Sequence, residues 1–458
     1  MLNCLSKKTM KKNLKILSVF LAEVLTYLGF GITDASAQEF ILEPWTIKDH
    51  YSLVREIGSN DWLVYSNYCN SSIFARVINY NFTINGIYHD PTYAIRDFEI
   101  IEVPEGEMGK TVFYCGENVC TYNKDSTSKY SQNSAMIGYF SISSIPTPNV
   151  NGCECLITIP NLKLACLNKL EVFKDGDDYH LVMVGHDADG ESLLVDAVSA
   201  YPFSSWTFKA IGLGSDGSFD DIAVSDNYVV ATGRTLNRHP FLRSFLLTPG
   251  DSFLNHPANA VYLSDIETAE TVLIESCESD YFSIALVATT SSNIVVSSYD
   301  GPLNHYATVH ISPINMDRRL RDLQYSPASK SLEVLENIIG NEYGCSYIYT
   351  ITSSLSVLGR MYKTDILNSM DYLKLSPGCI IASGHPFETP TVSQVLRLYH
   401  YEPMIYGNCS EPIIPSHYSK APNLLSLDNL PQRENIVYPQ EIEWKKYSWT
   451  KRYLCGEL

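Results

Sequence analysis

Short apolar runs of about four to eight residues, rich in Val, Ile, Tyr and Phe and bounded by Asn, Asp, Gly and Ser, recur along the chain from about residue 40. Runs of that length and make-up predict β-strands, and helical spacing sustained over ten or more residues is scarce. The window Ser329 to Ile339 has helical spacing, but its place in the pattern favours a hairpin. The runs also repeat. An acidic residue leading an alternating apolar strand returns at Asp97-Phe98-Glu99-Ile100, Asp221-Ile222-Ala223-Val224, Asp322-Leu323-Gln324-Tyr325 and Asp371-Tyr372-Leu373-Lys374-Leu375, at spacings of 124, 101 and 49. The first two spacings are near twice the third, so each gap should hold one further unit. Lys169-Leu170-Glu171-Val172, which lacks the leading acid, and Glu270-Thr271-Val272-Leu273 are the candidates.

After each such strand comes a second apolar run that commonly closes on Gly or Ser: Trp62 to Ser66, Val112 to Gly116, Leu181 to Gly185, Tyr228 to Gly233, Tyr281 to Ala288, Leu332 to Leu335 and Gly378 to Gly384. A third run follows in each, for example Ile73 to Ile78, Ala135 to Phe140 and Phe241 to Leu247. Seven units emerge. Small sheets repeating at such intervals cannot hide both faces alone, and a radial arrangement lets each cover the next. The expectation is an all-β fold, a β-propeller of seven blades with three to four antiparallel strands each, forming one domain over residues 38–458.

On this period, and on hairpins such as Asn227-Tyr228-Val229-Val230-Ala231-Thr232-Gly233, the chain resembles secreted seven-bladed propellers of kelch-like and WD-like architecture, as found among exported proteins of the Bacteroidota type. The likeness is architectural and implies no activity, because neither a Gly-His with Trp-Asp pairing nor a Gly-Gly kelch doublet is present. Ring closure would draw a strand from each end of the chain, with Glu39 to Ile47 and Asn435 to Trp449 as candidates, after a Pro-, Ser- and Asn-rich surface loop at about 401–432. The rival architecture is two stacked sandwiches joined near Pro146-Thr147-Pro148.

The amino end changes where the protein works. From Met10, which reads as the true start, Lys11, Lys12 and Lys15 precede an apolar stretch from Ile16 to Ile32 and the triplet Ala35-Ser36-Ala37. That order predicts a signal peptide over residues 1–37 and a secreted, periplasmic or cell-surface protein. No later segment is apolar for the length of a membrane span. Hydrophobic residues at 45% against charged residues at 18% exclude disorder. The net charge of −18, with five lysines already inside the leader, repels phosphate backbones, so no nucleic-acid partner is expected.

Export permits disulfides, and removing the leader leaves eleven cysteines, an odd number. Cys115 with Cys120 and Cys155 with Cys166 could each face across a hairpin, and Cys409 with Cys455 could staple the tail. Cys345 and Cys379 read as small buried hydrophobes. Cys153-x-Cys155 has no partner pair, so no metal and no cofactor are expected.

Among candidates for chemistry, Asp97, Asp221, Asp322 and Asp371 stand out, since equivalent positions in successive blades would bring their carboxylates toward one axis. The plainer and favoured reading is that each accepts backbone N–H groups where its strand begins. Asp187-Ala188-Asp189-Gly190-Glu191 has part of the spacing of a calcium loop, but a tight Asp-Gly turn explains it better. The scattered histidines, His180 and His186 among them, read as loop or strand-end residues. Trp206 and the tail cluster Trp444, Tyr447, Trp449 and Tyr453 are the aromatic candidates for recognition. No nucleophile elbow, zinc-protease helix or phosphate loop occurs.

The leading expectation is therefore a monomeric, non-catalytic exported propeller binding a protein or a glycan. The alternative is a carbohydrate-active enzyme, a glycoside hydrolase or lyase, on the same scaffold. Carboxylates converging with a basic residue in one channel mouth would favour the enzyme, and an uncharged aromatic face would favour binding.

Overall fold

The computed structural model describes residues 39–455 with interruptions, the longest unbroken stretches being 164–225 and 227–263; the leader lies outside the described residues. The fold is all-β. Among the described residues the only helical pieces are single 3-10 turns, chiefly Gly214–Asp216 and Phe253–Asn255, and no helix is long and apolar enough to cross a membrane.

Strands follow one another as antiparallel meanders in seven successive groups. The first sheet comprises Ser52–Gly58, Asp61–Tyr68, Ser71–Ile78 and Thr83–His89. The second comprises Tyr93–Val103, Gly109–Asn118, Ser134–Ser141 and Val150–Leu156. The third comprises Leu164–Asp175, Asp178–Asp187, Ser192–Ala200 and Trp206–Gly212. Gly217–Ser225, Tyr228–Thr235, Pro240–Leu246 and Pro257–Tyr262 form the fourth. Thr271–Ser276, Ile284–Thr289, Ile294–Tyr299 and His305–Ile311 form the fifth. The sixth holds Arg318–Ser326, Ser331–Ile338, Gly344–Thr352 and Val357–Thr364. The seventh runs Leu367–Ser376, Cys379–Pro386 and Val395–His400, and takes Glu39–Glu43 as its fourth strand. The window Ser329 to Ile339 is thus strand, as its place in the repeat required.

The middle strands of the third to fifth sheets are buried on both faces, so their apolar runs are continuous. In Asp178–Asp187, Leu181 and Met183 pack toward the second sheet, whereas Val182 and Val184 pack toward the fourth. Among the described residues five separate cores result, one between each consecutive pair from the first sheet to the sixth. The first strands of successive sheets touch in chain order, and the first strand of the seventh sheet also touches that of the first. The Pro146-Thr147-Pro148 segment falls between two strands of the second sheet, which removes it as a linker between sandwiches.

The carboxyl tail then steps backward along the outer edges. Ser416–Tyr418 pairs with the fifth sheet, Asn423–Leu424 with the fourth and Gln432–Val437 with the third. Gln440–Tyr447 bridges the outer strands of the second and first sheets, and Thr450–Cys455 pairs with Glu39–Glu43. The strand that meets the amino end is therefore Thr450–Cys455. The expected Asn435 to Trp449 is instead divided between the third sheet and the first two. Unpaired edge N–H and C=O groups recruit strands, and this tail occupies six of the seven edges.

Two disulfide expectations fail. Cys115 and Cys166 are buried free thiols, as is Cys277. Cys115 sits in the second strand of its sheet opposite Ile137, inside the core shared with the third sheet. Cys155 lies on the outer strand of the second sheet and Cys166 on the first strand of the third, so the two do not share a hairpin. Cys120 and Cys409 lie outside the described residues, and the side chain of Cys455 does too.

Candidate functional site

The first strands of the second to sixth sheets converge, with Arg55 of the first sheet, on a cavity of about 240 Å³. Two polar layers line it, because side chains two residues apart in a strand share a face. Asp97, Lys169, Asp221 and Asp322 form one layer, and Glu99, Glu171, Glu275 and Gln324 the other. The hydrogen bonds define the correspondence. Asp97 Oδ2 accepts the Leu170 N–H of the next sheet at 3.2 Å, and Asp221 Oδ2 accepts that of Ile274 at 3.1 Å. Lys169, which heads the unit read as lacking its leading acid, takes the equivalent place in the third sheet, and Leu273 takes it in the fifth. Glu270, the acid proposed to lead the fifth unit, is exposed and precedes its strand.

A backbone irregularity aims this layer. In each of the second, third, fourth and sixth sheets the register skips one residue just before the cavity side chain: Arg96, Asn168, Asp220 and Arg321 have no residue opposite them in the strand ladder. Such bulges turn the following side chain. The opposing second strand must then come very close. A Cβ on Gly185 would lie 2.1 Å from the Cys166 carbonyl oxygen, and one on Gly233 would lie 1.9 Å from that of Ser218. This accounts for the glycine on which those second apolar runs close.

Ion pairs tie the layers together. Arg55 donates from Nη2 to Asp97 Oδ1 and from Nε to Glu99 Oε1, both at 2.8 Å, while its guanidinium lies over Phe98. Asp97 Oδ1 also accepts the N–H of Phe98. Lys169 Nζ lies 3.6 Å from Asp221 Oδ1. That carboxylate raises the Lys169 ammonium above its usual range, against the opposing pull of burial. Burial pushes Asp221 up, and Lys169 works against the rise.

Across the cavity compensation is poorer. Asp322 Oδ1 accepts the N–H of Leu323 at 2.9 Å, whereas its buried Oδ2 has no hydrogen-bond partner. Burial pushes Asp322 up to about 7, with Lys169 and Arg55 opposing. Burial, with Asp322 and Asp221 adding to it, pushes Glu275 up to about 8. Glu171 is raised by burial and then by Glu99 and Glu275. Six carboxyl groups therefore share two cations. Among the described residues no group of three His, Cys, Asp or Glu side chains is arranged to hold a metal ion.

The remaining candidates lie elsewhere. Asp371 is one of two residues of Leu367–Ser376 that the register skips, and its side chain lies outside the described residues. Trp206 is not a recognition surface: only 1% exposed, it stacks on Phe203 with ring centroids 5.7 Å apart, inside the core between the second and third sheets. Trp444 and Tyr447 lie on the tail strand Gln440–Tyr447, opposite Val150 and Gly86. Asp187 Oδ1 accepts the N–H groups of Asp189 and Glu191 at 2.9 Å each, so that loop is a turn capped by its own carboxylate. His180 is 2% exposed and pairs through Nδ1 with Asp196 Oδ1 at 3.0 Å, which corrects its reading as a solvated histidine. Ser252 donates to the other Asp196 oxygen, so the carboxylate sits between hydroxyl and imidazole, an order unlike that of a hydrolytic triad.

Arg55, Glu99, Glu171 and Glu275 were not singled out from the sequence. The available signal was the residue two places after each leading position. No family model matches this chain, and no curated protein matches it.

Proposed function

We propose that the protein is an exported seven-bladed β-propeller that binds a partner at the axial cavity and does not catalyse a reaction on it. Supporting the ring are the seven meanders in chain order, the five inter-sheet cores, and the contact of the seventh first strand with the first. The leader, Lys11 to Ala37, supports export.

The observation that carries the binding reading is the cavity itself, in which charged side chains from several sheets meet. By the criterion of convergent carboxylates with a basic residue, this site also speaks for a carbohydrate-active enzyme. The hydrogen bonds favour the binding reading. A glycosidase needs one ionised carboxylate free to act opposite one protonated acid. Here Asp97, Glu99 and Asp221 already hold Arg55, Lys169 and backbone amides. The unengaged groups, Glu171, Glu275 and Asp322 Oδ2, belong to the acids that burial drives toward the neutral form.

Glycan-array and peptide-array binding, run beside hydrolysis assays on the same purified protein, test this. Saturable binding weakened by Glu275→Gln, with no cleavage of any bound sugar, is the expected result. Cleavage that disappears in Glu275→Gln or Glu171→Gln would establish the enzyme instead.

A further inference from the structure

We infer that the ligand group seated in the axial cavity is a compact organic cation, a primary ammonium or guanidinium, held between Glu171 and Glu275. This rests on the cavity being the binding site and goes further by naming the chemistry. Three observations point to it. First, the walls carry six carboxyl groups and only Arg55 and Lys169 as cations, and both cations are taken by carboxylates on the Asp97 and Asp221 side. Second, the half-buried Glu171 and Glu275 line the cavity beside Asp322, whose buried Oδ2 has no hydrogen-bond partner. Buried carboxyl groups without partners are costly, and a ligand with several N–H donors would satisfy them. Third, about 240 Å³ is below the roughly 300–1,000 Å³ of pockets for drug-sized ligands, so one small headgroup fits and an extended chain does not. A metal ion is the poorer occupant, since the described acids are not grouped to coordinate one.

Binding should release protons. Glu275 faces Glu99, Glu171, Asp97, Asp221 and Asp322, with Arg55 and Lys169 the cations in reach, and burial holds it up to about 8. It is then ionised in about one molecule in ten at pH 7, so cation affinity should rise about tenfold between pH 7 and pH 9. An alkylammonium keeps its charge over that range.

The test is isothermal titration of the full chain with 1,4-diaminobutane, N-acetyl-lysine methylamide and, as a neutral isostere, 1,4-butanediol. The expected result is binding of at least one amine and none of the diol, with proton release seen on changing buffer and the stated rise with pH. Preference for the lysine derivative would identify a side chain of a partner protein, and preference for the diamine a free small amine. Glu275→Gln should weaken amine binding at pH 9 by at least tenfold and reduce its rise with pH to what Asp322 and Glu171 still contribute; Glu171→Gln, with thermal melts checked, is the second variant. Amines that give no heat, or bind both variants like wild type, overturn the inference. A neutral glycan or a lysine-free peptide that binds and is weakened by Glu275→Gln would sink the cation while leaving the cavity as the binding site. Binding indifferent to every cavity variant would sink both.

Discussion

Asp97 and Asp221 on one side of the cavity and Asp322 on the other hold the same place in their strands, each just after a register break, yet their surroundings differ. The first two reach across to a backbone N–H of the next sheet and sit beside Arg55 or Lys169. Asp322 bonds only the amide of its neighbour Leu323 and leaves one buried oxygen bare. One residue type at one repeat position is thus a latch between sheets in two places and an unsatisfied acid in a third. Partners, not position, set its role: a buried carboxylate is stabilised by charge and N–H donors and neutralised where these are missing.

The most damaging way to break this contrast is to remove a latch. Asp221→Ala leaves the Ile274 N–H without its acceptor and removes the carboxylate nearest Lys169, and should cost about 2 kcal/mol in urea unfolding. Asp97→Ala should cost less, because Arg55 keeps Glu99. A loss below about 1 kcal/mol for Asp221→Ala would mean that the latch is not structural.

The opposite sign is expected across the cavity. Unfolded carboxyls ionise near pH 4, whereas Asp322 is held up to about 7 and Glu275 up to about 8 in the folded chain. Between those values the folded state keeps protons that the unfolded state has lost, so these two groups subtract stability as pH rises from about 4 toward 8. Asp322→Asn should therefore stabilise the protein at pH 8 by about 1–2 kcal/mol, a gain that shrinks as pH falls toward 4. Glu275→Gln should flatten the fall in melting temperature between pH 5 and pH 8. Destabilisation by either variant at pH 8 would show that its carboxyl has a partner after all.

The smallest effect concerns thiols. Burial raises Cys115, Cys166 and Cys277, so all three should resist iodoacetamide in the native protein and react only after unfolding. Alkylation at Cys115 or Cys166 that requires prior reduction would restore the hairpin disulfides.

Much of the strand order was readable in the chain, because short β-branched and aromatic runs between turn residues have few other ways to be buried. The unit at Glu270 was placed three residues early, since a missing leading acid left only composition to align it. The cavity was half legible. Asp97, Asp221 and Asp322 were marked by their recurrence, but Glu99, Glu171 and Glu275 carry no mark beyond a two-residue offset. Trp206 misled because an aromatic beside a Pro-Phe loop looks the same in sequence whether it faces solvent or stacks on Phe203.

From its residues alone, then, this chain dictates an all-β build of repeated small sheets, a consequence of local periodicity and turn chemistry. Tertiary structure alone decides that the tail runs backward along the sheet edges, that Cys115 and Cys166 stay apart, and that Glu275 is starved of counter-charge while Asp221 is not. The reason is physical: strand formation depends on neighbours along the chain, whereas charge compensation and edge pairing depend on groups that only folding brings together.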